Sequence, residues 1–245
     1  MSPRITLATA ARVLRQLRHD HRTIAMLLVV PVLLLIIVDA LFPDSGGVFD
    51  SVALVMLGIF PFVIMFLVTS IAMLRERTTG TLERLLTTPA SKADLLGGYG
   101  LAFGLAGAVQ AVVVTAAAYW LLGLDTAGSP ALVMAVAVLD AVLGVALGLL
   151  ASAFARTEFQ AVQFMPVVVI PQLLACGLFA PRDQMAGWLQ ALSDVFPLTY
   201  AVEALQEVGA NTTATATMWQ DMAVVAAAAL LGLAISAATL RRRTG

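Results

Sequence analysis

Six apolar stretches, each about as long as a bilayer is thick, alternate along the chain with short polar segments. They fall at about 24–42, 52–74, 97–122, 131–154, 161–180 and 222–240. A helix rises about 1.5 Å per residue, so roughly 20 apolar residues cross a hydrocarbon core of about 30 Å. The pattern predicts six transmembrane helices in an all-α polytopic fold, with residues 1–245 forming a single transmembrane domain.

Two further segments have helical patterns that cannot cross. Residues 4–20 set Ile5, Leu7, Ala11, Val13, Leu14 and Leu17 among arginines. That spacing suits an amphipathic helix lying in the membrane interface over 1–22; a solvated basic leader that only sets orientation is the alternative. Residues 182–210 carry two patterns of about ten residues broken at Pro197, each too short to span. They predict a re-entrant or interfacial helical hairpin on the outer side, with Trp188 and Tyr200 suited to the interface. The first apolar stretch is too long for the core of a secretory signal, and "DALFPDS" is a poor cleavage site, so it is expected to remain as a helix.

Composition agrees with the pattern. Hydrophobic residues make up 60% of the chain and charged residues 12%, with a mean hydropathy of +0.95; soluble domains carry about 25% charge. The net charge of −1 points to no nucleic-acid partner. Placement of the charges is more informative. Of the 14 cations, all but Arg182 fall on one side of a six-span topology, from Arg4 through Arg75, Lys92 and Arg156 to Arg243. The other loops hold Asp44, Asp50, Asp125, Asp183, Asp194, Glu203, Glu207 and Asp221. By the positive-inside rule both termini are expected in the cytoplasm.

Several chemistries lack their residues. Lys92 is the only lysine and follows Ser91, so no Gly-Lys-Ser/Thr phosphate loop exists. His19 and His21 both lie in the basic leader, leaving no His-Glu-x-x-His metal site and no histidine inside a span. The single Cys176, in an apolar run, excludes a disulfide framework and a cysteine-based zinc site. The sequence therefore offers no catalytic or metal-binding set. Asn211-Thr-Thr reads as a glycosylation site only in a eukaryotic secretory pathway, and otherwise as a polar loop.

One connector is richer than a connector needs to be. In "RERTTGTLERLLTTPASKADLLGGYG", from Arg75 to Gly100, Gly80 can open a short helix with Glu83 reaching back to its free amides. Leu82, Leu85 and Leu86 then make one apolar face, with Glu83 and Arg84 at its edge. Pro89 ends the helix and Ser91 caps the third span. So short a helix is unstable alone and needs something to pack on.

These residues carry a resemblance. "RERTTGTLERLLTTP" resembles the signature between the second and third spans of the permease subunits of type-2 ABC exporters, the daunorubicin-resistance type among them. "GLFAPRDQMAGWLQALSDVFPLTYAVEAL" is similar to the stretch before their last span. The resemblance covers nearly the whole chain. It implies that residues 77–89 form a coupling helix seated in a groove of a separate ABC ATPase (nucleotide-binding) subunit. Arg77, Gly80, Thr81, Leu82, Glu83, Leu85, Leu86 and Pro89 would dock that subunit, with Arg84 on the polar edge. Thr78 and Thr79 stand where many relatives have charged residues. ATP and Mg would belong to the ATPase, leaving no cofactor on this chain. The resemblance further implies a second permease copy or a similar permease as partner. Drug, lipid or polyketide-like cargo would leave the cytoplasm or inner leaflet across a bacterial plasma membrane.

Polar residues at mid-depth are the candidates for a transport path: Asp140, Gln110 and Gln172. Asp140, Gly144, Gly148 and Ser152 recur every four residues, a small-residue stripe of the kind that packs helix on helix. Asp140 should therefore face protein, and no lysine or arginine lies at its depth to neutralise it. It is expected to be protonated, hydrogen-bonded, or matched by a cationic substrate. Two roles stay open, contact with cargo or a proton, and interhelical hydrogen bonding. An alternative function is a proton-coupled secondary transporter working through Asp140. Pro31, Pro61, Pro166 and Pro171 are expected to kink their helices, the fifth span most of all.

Overall fold

The computed structural model describes residues 2–42, 47–81, 91–179 and 182–239. Among them all regular structure is helical. In chain order the helices are α1 (Pro3–His19), α2 (His21–Leu41), α3 (Val48–Thr78), α4 (Lys92–Trp120) and α5 (Pro130–Phe154). There follow α6 (Glu158–Ala175), a 3-10 turn (Arg182–Gln184), α7 (Gly187–Ser193), α8 (Pro197–Ala210) and α9 (Ala216–Thr239). Six of these, α2 to α6 and α9, are long and apolar enough to cross a membrane.

Local chemistry explains where they begin and end. Asp20 opens α2 by accepting from the Thr23 amide at 3.1 Å and the Thr23 hydroxyl at 2.7 Å. Ser91 and Asp94 form a reciprocal capping box at the start of α4. Ser129 caps α5 ahead of Pro130, and Thr157 caps α6. Glycine stops α6 earlier than the apolar run suggests: Gly177 takes φ +93° directly after the terminal Cys176, a conformation side chains resist. The helix passes through both Pro166 and Pro171 without interruption.

The centre of the bundle is the α3–α5 pair, the most extensively packed pair in the fold. Small residues set its spacing. A Cβ added at Gly144 would strike the Phe62 carbonyl, and one at Gly148 would lie 2.5 Å from the Phe66 carbonyl. Gly58 of α3 faces Asp140 of α5. The pairs 58 with 140, 62 with 144 and 66 with 148 advance together, so α3 and α5 run parallel and α4 must return between them. Gly107 of α4 meets Ala141 and Met65, closing a three-helix core.

The remaining spans are peripheral. In their most apolar windows 61% of positions are buried in α3 and in α5, but 17% in α2 and 22% in both α6 and α9. Met26, Val29 and Leu33 on α2, and Val162, Val167 and Leu174 on α6, are left exposed. All three tryptophans, Trp120, Trp188 and Trp219, are exposed at the end opposite the arginine-rich one, where amphipathic rings suit a headgroup layer.

Of the apolar face its sequence suggests for α1, Val13, Leu14 and Leu17 pack on the bundle, joined by residues the sequence did not single out. Thr6, Thr9, Ala10 and Val13 are buried, mostly against α4, while Leu7 stays 63% exposed. Gly98 makes this possible, since a Cβ there would sit 2.5 Å from that of Thr9.

Candidate functional site

The stretch expected to dock an ATPase follows α3 in the sequence. That helix has 31 residues, roughly 46 Å at 1.5 Å each, which is more than a hydrocarbon core requires. Arg75, Glu76 and Arg77, expected beyond the span, are its last full turn. Successive residues on a helix point about 100° apart, and these three reach three different helices. Arg75 forks onto Glu158 at the start of α6, with distances of 2.8 and 3.0 Å. Glu76 pairs with Arg12 of α1 at 3.2 Å, and Arg12 also donates to the Tyr99 hydroxyl of α4. Arg77 donates to the Ser152 carbonyl in the last turn of α5, one of the acceptors that a helix end leaves unserved. The exit of α3 is thus fixed by α1, α4, α5 and α6 together.

Beyond it, the hydroxyls of Thr78 and Thr79 cap the Arg75 carbonyl. Gly80, expected to open the coupling helix, takes φ +72° between the end of α3 and helical Thr81, a region glycine enters without strain. Thr81 is helical again and its hydroxyl meets that of Thr79 at 3.1 Å. Leu82, Glu83, Arg84, Leu85, Leu86 and Pro89 lie outside the described residues.

The three candidate path residues are all buried, and no hydrogen bond joins them. Asp140 is 0% exposed, and neither carboxyl oxygen makes a hydrogen bond. It faces Gly58 beside Val202 and Leu205 of α8. The expected interhelical hydrogen bond at Asp140 is not formed. Gln110 of α4 is likewise fully buried with its amide unpaired. Gln172 has structural work: its amide donates to the Val168 carbonyl at 2.9 Å, and its oxygen accepts from the Leu198 amide at 3.4 Å. The rest of the Asp140 stripe behaves as expected, since Gly144 and Gly148 let α5 close on α3.

Sequence reasoning missed the organiser of the opposite end. Arg182, the one cation assigned there, pairs with Asp194 after α7 and Glu203 of α8. Its own carbonyl accepts from Gln190 at 2.8 Å. Ser193 donates to the Ala175 carbonyl at 2.9 Å, tying α7 to the end of α6. The α4–α5 loop joins through amides of Ala127 and Gly128, each 3.0 Å from a carbonyl of α8. The signal that could have found this was in view: an isolated arginine among acids has few reasons to be there except to pair with them.

An α-helical bundle with six candidate spans is the architecture of a polytopic membrane protein. The chain belongs to the ABC-2 type transporter family, whose profile matches residues 4–208. It is 31% identical over 138 residues to the linearmycin resistance permease protein LnrN of Bacillus subtilis, covering 56% of this chain and 36% of that one. It is 28% identical over 156 residues to the probable multidrug ABC transporter permease YbhR of Escherichia coli, covering 64% and 42%. A third relative is ABC transporter G family member 20 of Dictyostelium discoideum, 28% identical over 141 residues, 58% of this chain and 19% of that protein. The chain spans less than half the length of each of these relatives.

Proposed function

We propose that this chain is the permease subunit of an ATP-driven exporter that moves hydrophobic or amphipathic cargo, powered by a separate ATPase subunit. The observation that carries the reading is the exit of α3. A helix end held by its neighbours and followed in sequence by an apolar, charge-edged segment is suited to pass a displacement of that segment into the bundle. Arg77, Gly80 and Thr81 set where the segment leaves the bundle, while Leu82, Glu83, Arg84, Leu85, Leu86 and Pro89 make the docking surface. The names of two relatives, a linearmycin resistance permease and a multidrug permease, favour drug-like cargo. A second permease, the same or similar, would cover the exposed apolar faces of α2 and α6.

In this reading the arginine-bearing end faces the cytoplasm, with both termini there. α7 and α8 form a hairpin at the outer side, and α8 re-enters far enough to put Val202 and Leu205 beside Asp140. Asp140 and Gln110, buried and unpaired, are the path groups, whereas Gln172 holds α6 to α8. Proton coupling through Asp140 is a second reading, favoured by the same unpaired carboxyl, and it needs no ATPase.

The test is co-purification with the cognate ATPase subunit and transport in reconstituted vesicles. Leu85→Asp, and separately Glu83→Lys with Arg84→Glu, should leave the chain in the membrane but lose the ATPase, because an unpaired buried carboxylate costs several kcal/mol. Normal co-purification and transport in both variants would reject the docking assignment, and transport driven by a proton gradient alone would favour the second reading. Orientation is checked with single cysteines in a Cys176→Ala background. Thr212→Cys should react with an impermeant thiol reagent from outside, and Ser91→Cys and Thr157→Cys should not.

A further inference from the structure

A cleft of about 490 Å³ opens at the arginine-bearing end between α1, α2, α3 and α4. That volume lies within the usual range for small-molecule sites. Its lining changes character along α3: Leu67, Val68 and Ile71 form the deep wall, then Arg75 and Glu76 the rim. From Leu67 to Glu76 is roughly 13 Å of helix, so an apolar slot runs inward from a charged mouth. Met26 of α2 and Phe103 of α4 complete the slot, and Asp20 and Gln16 add polar groups at the mouth.

The mouth has a sign. The one cation among the described residues of its lining, Arg75, is already engaged by Glu158, and Arg12 behind the wall is engaged by Glu76. Glu76 uses one oxygen for Arg12, while Oε2 is buried and makes no hydrogen bond. The neighbouring Tyr99 hydroxyl is the acceptor for Arg12. Asp20 adds a second carboxylate, and hydrogen bonds from Thr23 hold it below the usual carboxylate range, so it stays charged. A buried carboxylate oxygen without a donor is costly to leave so, and a donor supplied by a ligand relieves it.

We propose that this cleft binds a single-tailed amphiphile with an ammonium head. The tail lies along Leu67, Val68 and Ile71, and the head donates to Glu76 and Asp20. An anionic head finds only Arg75 in that lining, already held by Glu158. The site opens toward the leaflet at the arginine-bearing end, and it stands whether or not the chain docks an ATPase. The ammonium can come from a membrane lipid with an ethanolamine head or from an amine-bearing solute that partitions into that leaflet.

Native mass spectrometry of the full chain in non-ionic detergent tests this with three probes sharing one tail: lysophosphatidylethanolamine, the corresponding alkylamine, and lysophosphatidylglycerol. One amine-headed probe or both should bind saturably, one per chain, at least about tenfold tighter than the glycerol-headed probe, a difference of about 1.4 kcal/mol. Binding of the lysolipid alone assigns the site to membrane lipid, and binding of the alkylamine alone assigns it to solute. Ala72→Trp, which fills the cleft, should weaken binding by about tenfold or more. Ala108→Trp, on a separate groove of α4, should not. Glu76→Gln should erase the preference for amine heads while the tail still binds. Val68→Phe replaces Ala72→Trp if that variant does not fold. Equal binding of all three probes, or full affinity in the filled cleft, overturns the proposal.

Discussion

Two charged places on the α3–α5 pair obey opposite rules. At the exit of α3, three consecutive charged residues each find a partner on another helix. About halfway along α5, a single carboxyl is fully buried with no partner at all. The difference is one of depth. Near the interface, water and headgroups lower the cost of charge, so ion pairs can be spent on positioning a helix end. At mid-bilayer an aspartate costs about 2.5–3.5 kcal/mol on insertion scales. No hydrogen bond among the described residues offsets that cost at Asp140.

The strongest way to break the comparison is to separate the helices that define it. Gly148→Val puts a branched side chain where even a Cβ would lie 2.5 Å from the Phe66 carbonyl. Overpacking alone costs typically 1–3 kcal/mol, and backbone on the other side cannot rotate away. The folded fraction, read by detergent-resistant gel filtration, should collapse, taking both the charged exit and the buried carboxyl with it. A monodisperse, active Gly148→Val protein would show that α3 and α5 do not meet at this register.

Asp140→Leu should have the next largest effect, with a sign the sequence did not suggest. A carboxyl tying helices together would make leucine harmful. With no hydrogen bond to lose, leucine should preserve or raise folding stability, by roughly 1–3 kcal/mol if the removed group was unsatisfied. Export should fall, and for Asp140→Asn the loss should be confined to cationic amphiphiles while neutral cargo persists. Equal loss of both cargoes in the asparagine variant would remove the charge-selective role. Clear destabilisation of the leucine variant would show that the carboxyl has a partner when folded.

How much of this was legible follows from range. The six spans were, because runs of apolar residues are a local signal with no competing explanation. The stripe at Gly144 and Gly148 was legible too, since a four-residue period of small residues has one common use. The end of α3 was not: Arg75, Glu76 and Arg77 look like a loop until their partners at 158, 12 and 152 are known. The seating of α1 was partly hidden for a related reason, because its buried face adds Thr6, Thr9 and Ala10 to Val13, and the deciding residue, Gly98, lies on another helix. Asp140 itself stood out, but its solitude did not, since a lack of partners is a property of every helix around it.

The smallest effect belongs to the outermost charges, and it sharpens the comparison most finely. Arg75 and Glu158 form a two-pronged pair, yet their side chains are 59% and 51% exposed. Exposed pairs contribute about 0.2–1 kcal/mol. A double-mutant cycle with Arg75→Ala and Glu158→Ala should give a coupling energy in that range, weakening further in high salt. Arg12 and Glu76, at 28% and 12% exposure, should couple more strongly and respond less to salt. Measured by thermal unfolding in one detergent, the two cycles set a gradient from rim toward core along a single turn of helix. Equal coupling in both would mean that depth does not govern charge at this end, and the contrast with Asp140 would then need another cause.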